Sequence, residues 1–334
     1  MKKLIGLILV LMMVVPLVVY GAEETTEVST VEASNDLAGK KIGVTFDTLE
    51  NPVWAELLKV AQTYAKETYG MDLTYVGADA DVGTQISQIE NFIQSEVDAI
   101  IICASDPTAL DDITQEAMDQ GIYVVSYTRD LKNTNVNYTA NWVEVGYALG
   151  QALADWINET YPDEEEVEFA ALTIRTTDLA NQQSDAMIAG VTDNAPNAVL
   201  CSEQITENPI TEVGMSNVEN IMQANPDCKG IISIGADGGV GGNEALKAIL
   251  SPDEYDSVGL FSIDATEEEC LNIERGDPQK ASISLGSGGL HGRTMVDICA
   301  MLLRGEDVDK MYYMEPMVVD QSNVKEYYEE VYGG

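Results

Sequence analysis

The sequence predicts an α/β protein of two similar lobes, each a parallel sheet wrapped by helices on both faces. Three observations predict it. The chain has 334 residues, more than one hydrophobic core usually serves. From Lys40 onward, short β-branched runs alternate with stretches of helical spacing. After about Asn137 the same rhythm restarts, which makes two rounds.

An export signal precedes the alternation. Lys2 and Lys3 stand before an apolar run at 4–19, and the small residues Gly21 and Ala22 follow, so residues 1–22 are expected to be a cleaved signal peptide. The run is short for a membrane span and Pro16 sits near its end. No Cys follows it, so the usual lipoprotein attachment site is missing. Residues 23–39 begin acidic and rich in Thr and Ser and are expected to form a solvated spacer.

The first strand is expected at 41–46, followed by a helix that Asn51 and Pro52 open and that carries Trp54, Leu57, Leu58, Ala61 and Tyr64 at helical spacing. A strand at 71–76 leads to a helix striped by Val82, Ile86, Ile89 and Ile93. The run at 98–103 is apolar enough to be buried on both faces. A helix at about 108–120 ends at Gly121, and a strand at 122–127 closes the round. In the second round, helices are expected at 142–160, 179–193, 212–224, 242–250 and 266–275, and strands at 167–174, 198–205, 230–234, 258–263 and 280–285. A helix at 289–303, a strand near 316–320 and a helix at 323–331 remain. These exceed what the second lobe needs, so the chain is expected to cross back. The lobes become 40–140 plus 286–312, and 141–285 plus 313–334.

Charge and cysteines remove several function classes. Lys and Arg number 17 against 57 Asp and Glu, a net charge of −40 that loss of Lys2 and Lys3 deepens. Such a surface repels nucleic acid and anionic lipid. The five cysteines at 103, 201, 228, 270 and 299 contain no C-x-x-C and no nearby His, so no metal site is expected. Their odd number leaves at least one thiol free within a single chain. Cys103 reads as a small buried hydrophobe, and Cys201 with Cys228 is the pair weighed for a disulfide, free thiols being favoured.

In open parallel sheets, ligands lie beyond the carboxyl ends of the strands. The residues there are 47–54, 104–107, 127–130 and 175–178, then Ala236 with Asp237, Ile263 with Asp264, and 285–287. The first of these stretches completes K-I-G-V-T-F-D-T-L-E-N-P-V-W at 41–54. With S-Q-I-E-N at 87–91, V-D-A-I-I-I-C-A-S-D at 97–106 and Q-G-I-Y-V-V at 120–125, it resembles the ribose- and galactose-type periplasmic sugar-binding proteins. The resemblance spans about 40–330 and is strongest through 150.

It implies a type 1 periplasmic binding fold: two Rossmann-like lobes joined by three hinge crossovers, closing on a small sugar or polyol. It further implies a monomer without cofactor that serves an ABC permease in the membrane and, in some members, a chemoreceptor. Carried over residue by residue, it makes Asn51 a hydrogen-bonding contact for ligand hydroxyls, Trp54 an aromatic platform and Arg129 a planar fork. Asn141 becomes a polar residue at the first crossing and Asp264 an acceptor from the second lobe. Asp47, Thr128, Gln183 and Asp237 complete the candidate set. The chain departs from the pattern at Thr128, where Asp is frequent, at Gln183, where a second Arg is common, at Ala236 in place of Asn and at Leu285 in place of Gln.

Each candidate has a plainer reading. Trp54 also fits a core position, Asn51 a helix cap, and Arg129 a surface pair with Asp106 or Asp130. Asp264 also fits a cap on the next helix through Thr266, and Trp142 fits either a ligand contact or a hinge wedge. His291, the only histidine, reads as structural. G-G-V-G-G at 238–242 lacks the spacing of a phosphate loop and is expected to be a flexible turn. Beside transport stand three other functions: a sensor module for a membrane receptor, a secreted carbohydrate-active enzyme and a repressor. The enzyme lacks G-x-S-x-G, and a single His gives it little acid–base equipment. The repressor lacks a basic DNA-binding segment before residue 40.

Overall fold

The computed structural model describes residues 35–50, 52–207 and 209–333; the expected signal peptide, most of the spacer and Asn51 lie outside the described residues. In the first lobe β1 (Lys41–Phe46), β2 (Asp72–Gly77), β3 (Ala99–Cys103) and β4 (Tyr123–Tyr127) alternate with α1 (Pro52–Tyr64), α2 (Val82–Gln94) and α3 (Asp111–Asp119). Helices cover both sheet faces, which is why β1 and β3 are apolar nearly throughout. Ile42, Val44 and Phe46 pack against Leu57 and Leu58 of α1. Ile100, Ile102 and Val124 pack against Ile89 of α2 and Ile113 of α3. Asp81 starts α2 by accepting from the Thr84 N–H at 2.6 Å.

Two strands missing from the expectation complete this sheet: β5 (Val136–Ala140) and β11 (Met311–Met314). The order is β11-β5-β4-β3-β1-β2, with every pair parallel.

The second sheet runs β12-β10-β9-β8-β6-β7. It is built from β6 (Val167–Thr173), β7 (Ala198–Ile205), β8 (Gly230–Ser233), β9 (Gly259–Ile263), β10 (Gln279–Ser284) and β12 (Met317–Asp320). β12 joins β10 antiparallel and the other pairs are parallel. Its helices are α4 (Trp142–Thr160), α5 (Asp178–Asn194), α6 (Thr211–Ala224), α7 (Ala236–Ile249), α8 (Glu267–Arg275) and α10 (Val324–Val331). The helix α9 (Gly288–Arg304) returns to pack on α1 of the first lobe.

Several boundaries differ from expectation. Leu37 is only 7% exposed and packs in the first core, and Asp36 pairs with Arg304 at 2.7 Å, so the packed chain begins inside the stretch read as spacer. β11 stays in the first sheet to Met314, past the expected limit of 312. The segment 238–242 is no flexible turn; it lies inside α7. Its glycines serve close packing. A Cβ on Gly241 would stand 2.1 Å from the Thr211 carbonyl oxygen of α6, and one on Gly239 2.4 Å from Glu269 Oε1. Burial of that tight crossing outweighs the helix cost of about 1 kcal/mol per glycine.

Glu269 is itself buried. It accepts from the Thr266 N–H and hydroxyl, both at 2.8 Å, from Gln279 at 3.1 Å, and from Ser262, tying α8 to β9 and β10. Burial raises its carboxyl above the usual range.

The same device joins α4 to α5, where a Cβ on Gly150 would come 2.1 Å from the Met187 carbonyl oxygen and 2.9 Å from Gly190 Cα. Gly150→Ala is therefore expected to lower stability in urea unfolding by about 1–3 kcal/mol, although alanine favours helix. An unchanged or raised unfolding midpoint would show that the two helix backbones do not touch there.

Candidate functional site

Three crossings place the site. β5 passes into α4 through Asn141, β10 into α9 through Leu285, Gly286 and Ser287, and β11 into β12 through Glu315 and Pro316. Met314 pairs with Ala140 at the carboxyl end of the first sheet, and Met317 pairs with Ser284 at the carboxyl end of the second. Three consecutive Cα–Cα steps reach at most about 11 Å. The carboxyl edges of both sheets therefore face one another beside the crossings, and Leu285 packs against both lobe cores.

On the first rim, Asp47 follows β1, is 8% exposed and accepts from Arg129 Nη1 at 2.9 Å. Arg129 follows β4 and also donates to the Ala104 carbonyl at the end of β3. Neighbouring strands thus hold one guanidinium, and its partner is Asp47 rather than Asp106 or Asp130. Asp106 instead accepts from the Thr108 and Ala109 N–H groups at 2.9 and 3.2 Å.

Thr128 is held at φ +61, a strained conformation for a β-branched residue. Its N–H donates to the Tyr138 carbonyl and its hydroxyl to the Tyr127 carbonyl, both at 2.8 Å. Trp54, half-buried in the first turn of α1, meets Phe46 edge-on at 5.7 Å, and Phe46 stacks on Tyr127 at 5.5 Å. Ser105, just after β3, was not among the candidates. Its hydroxyl is the buried side-chain oxygen without a hydrogen-bond partner among the described residues. Only its place after a strand pointed to it.

On the second rim, Asp237 lies in the first turn of α7 after β8, and Asp264 follows β9. Asp264 and Ala265 have φ +104 and +44. Asp264 donates its N–H to the Ile283 carbonyl at 2.8 Å, and Ala265 its own to Ser282 Oγ at 2.9 Å. The Asp264 carboxylate accepts from Ala236 N–H at the start of α7 at 3.4 Å. It does not cap α8, whose start is closed by a capping box of Thr266 and Glu269. Burial raises the Asp237 carboxyl. Asp264 stays accessible at the rim, yet the protein mass around it, and then Asp237, raise its carboxyl as well.

No ion pair among the described residues reaches either acid. Arg175, after β6, is bound to Glu203 at 2.7 Å and to Asp185. Gln183 is buried in α5, its carbonyl and Cγ against Gly146 of α4, and Asn141 is the N-cap of α4, accepting from the Glu144 N–H at 3.4 Å. Trp142 packs on the second core. Together the rims offer a planar cationic donor, an aromatic face and carboxylate acceptors, the groups that suit a small hydroxylated molecule. Among the described residues no His, Cys, Asp and Glu cluster could hold a metal ion, and no helix is long and apolar enough to cross a membrane.

Residues 42–307 match the periplasmic binding protein domain. A Rhizobium meliloti protein named for rhizopine binding is 26% identical over 86% of this chain and 92% of its own. The ribose import binding protein of Bacillus subtilis is 25% identical over 80% and 83%. Among solved structures, a periplasmic ribose ABC transporter protein from Conexibacter woesei covers 88% of this chain and 96% of its own at 19% identity, with a TM-score of 0.71, and shares the fold.

His291 steadies the crossings. It sits in the first turn of α9, buried, with Nδ1 2.7 Å from the Tyr138 hydroxyl of β5, and so links the first crossing strand to the helix after the second crossing. Burial holds its imidazole down at about 4, against a hydrogen bond with Gly286 that pulls upward. Between an unfolded value near 6.5 and the folded value near 4, the unfolded chain binds a proton that the folded chain does not. This contribution to stability is complete above pH 6.5 and is lost as pH falls toward 4. His291→Gln removes that dependence, so the stability advantage of the natural chain should shrink between pH 7 and 4.5, by roughly 3 kcal/mol at most. Urea unfolding of both chains at the two pH values measures it, with opposing carboxyl groups such as Glu269 cancelling in the difference. Equal pH slopes would refute a neutral buried imidazole.

Proposed function

The chain belongs to the periplasmic binding protein domain family, and on that footing we propose that it is an exported solute-binding protein. It captures a small sugar or polyol between its two lobes and delivers it to an ABC importer, without turning it over. The observation that carries this reading is the pair of facing carboxyl edges, with Asp47 and Arg129 clasped on one and Asp237 and Asp264 on the other. A guest touching both rims binds the closed arrangement better than the open one and so shifts the equilibrium toward closure.

We assign Asn51, Trp54, Asp47, Thr128 and Arg129 to the first rim's contacts and Asn141, Gln183, Asp237 and Asp264 to the second's, with Ser105 added to the first. The names of relatives support the ligand class: ribose import in Bacillus subtilis, xylitol binding in Mycolicibacterium smegmatis, and a Bacillus halodurans solute-binding protein solved with myo-inositol. Export follows from the reading of residues 1–22 as a signal peptide, with the mature chain working outside the cytoplasmic membrane as a monomer.

A thermal-shift screen over aldopentoses, aldohexoses, inositols and sugar alcohols tests the reading, because a ligand that binds only the folded chain raises its melting point by mass action. At least one should do so. Asp264→Asn should then weaken the best ligand about 10- to 100-fold, the worth of a charged hydrogen bond. A panel with no shift would reject the ligand class, and an unaffected Asp264→Asn would reject the rim assignment.

A further inference from the structure

The second lobe brings together two cysteines distant in sequence, on the side of the lobe away from the crossings. β7 is the edge strand of its sheet. Its register with β6 slips between Phe169 and Ala170, which pair with Leu200 and Ser202, so Cys201 is the extra residue of a bulge. Cys201 packs, half-buried, against the core cluster beneath α6 and α7, and that cluster contains Cys228. Cys228 lies in the turn between α6 and β8, is 1% exposed and points its thiol at the Gly230 carbonyl at 3.3 Å.

The two cysteines meet on this one cluster. Cys228 draws the Cys201 thiol below the ordinary range, and Cys201, with burial, pushes the Cys228 thiol up. Asp227 and Lys229, the neighbours of Cys228, line an open surface cavity of 280 Å³ together with Glu168 of β6. The other cysteines differ. Cys103, Cys270 and Cys299 are buried in other clusters, with thiols pushed up to about 11, 12 and 12 by burial.

We propose that Cys201 and Cys228 are a reactive dithiol that closes to a disulfide, stapling the edge strand β7 to the turn before β8 across α6. The oxidant is a low-molecular-weight disulfide or an oxidised dithiol protein. The Cys201 thiolate attacks one sulfur of that disulfide and expels its first thiolate. Cys228 then gives up its proton and attacks Cys201 Sγ in the mixed disulfide, expelling the second. Two protein thiols lose two protons and two electrons, and the external disulfide leaves as two thiols. The dithiol goes beyond the binding role and stands whether or not that role holds. Export would place it where disulfides persist.

The test equilibrates the purified full chain with glutathione disulfide, blocks free thiols by alkylation and maps peptides by mass spectrometry. The expected result is a chain lighter by two hydrogens, with Cys201 and Cys228 linked and the other three cysteines alkylated. The melting midpoint should rise by about 3–5 °C over the dithiothreitol-treated chain. Cys201→Ser, at the half-buried position, should melt like the reduced natural chain and gain nothing from oxidant. A Cys201 that carries only glutathione, a pair that stays alkylated, a different linkage, or an equal gain in Cys201→Ser would each overturn the proposal.

Discussion

Every passage between the two sheets leaves from a carboxyl edge and is only a few residues long. Asn141 alone separates β5 from α4, and Glu315 with Pro316 separates β11 from β12. Links this short cannot let one lobe slide along the other, but a few backbone torsions within them are enough for rotation. The packing around them agrees with that division. Leu285 packs against both cores beside the crossings, and the Tyr138–His291 bond ties the first crossing strand to the helix after the second. Gly286, with φ +108, stands where no side chain would be comfortable and a turn is required. What the strand ends carry is thereby brought face to face, and the candidate site follows from topology before any side chain is considered.

The rims differ in how their charges are settled. Asp47 meets Arg129 within the protein, so the first rim is neutralised and ordered before anything binds. The second rim keeps two carboxyl groups close together with no cation among the described ion pairs, and both are raised. Crowded acids of this kind gain from hydrogen-bond donors, and a neutral polyol supplies them without the desolvation cost of a charged guest. The overall charge of −40 has little bearing on this, because it is spread over a solvated surface.

Much of this was legible in the sequence, for identifiable reasons. Buried parallel strands such as Ala99–Cys103 leave unbroken apolar runs, and helices such as Val82–Gln94 leave a stripe, so the alternation could be read directly. β5 and β11 could not. V-N-Y-T-A mixes polar and apolar residues, and M-Y-Y-M stands six residues beyond a helix end and two positions before a proline; tertiary pairing at one edge of the sheet makes both of them strands. The glycines at 238–242 misled because local propensity argues for a turn, whereas the deciding term is the distance between α6 and α7, a property of two segments at once. For the same reason Arg129 was placed at a strand end correctly and its partner was not. Asp47 is 82 residues away in the chain and adjacent only once β1 and β4 lie on either side of β3.

Part of the backbone strain falls where strands meet the candidate site. Among the described non-glycine residues with positive φ, Thr128, Asp264 and Ala265 follow β4 and β9, at the carboxyl edges that face each other. Each is held by bonds from a neighbouring strand: Thr128 by the Tyr138 carbonyl of β5, Asp264 and Ala265 by Ile283 and Ser282 of β10. Such conformations cost of order 1–3 kcal/mol each and persist only where the surroundings over-determine them. A relaxed chain would leave β4 and β9 along their strand directions and carry Arg129 and Asp264 elsewhere. The strain is met when the protein folds, so on the proposed assignment ordering these two side chains would add little cost on binding. Replacing Thr128 or Asp264 by glycine would relieve the strain and loosen the rim together.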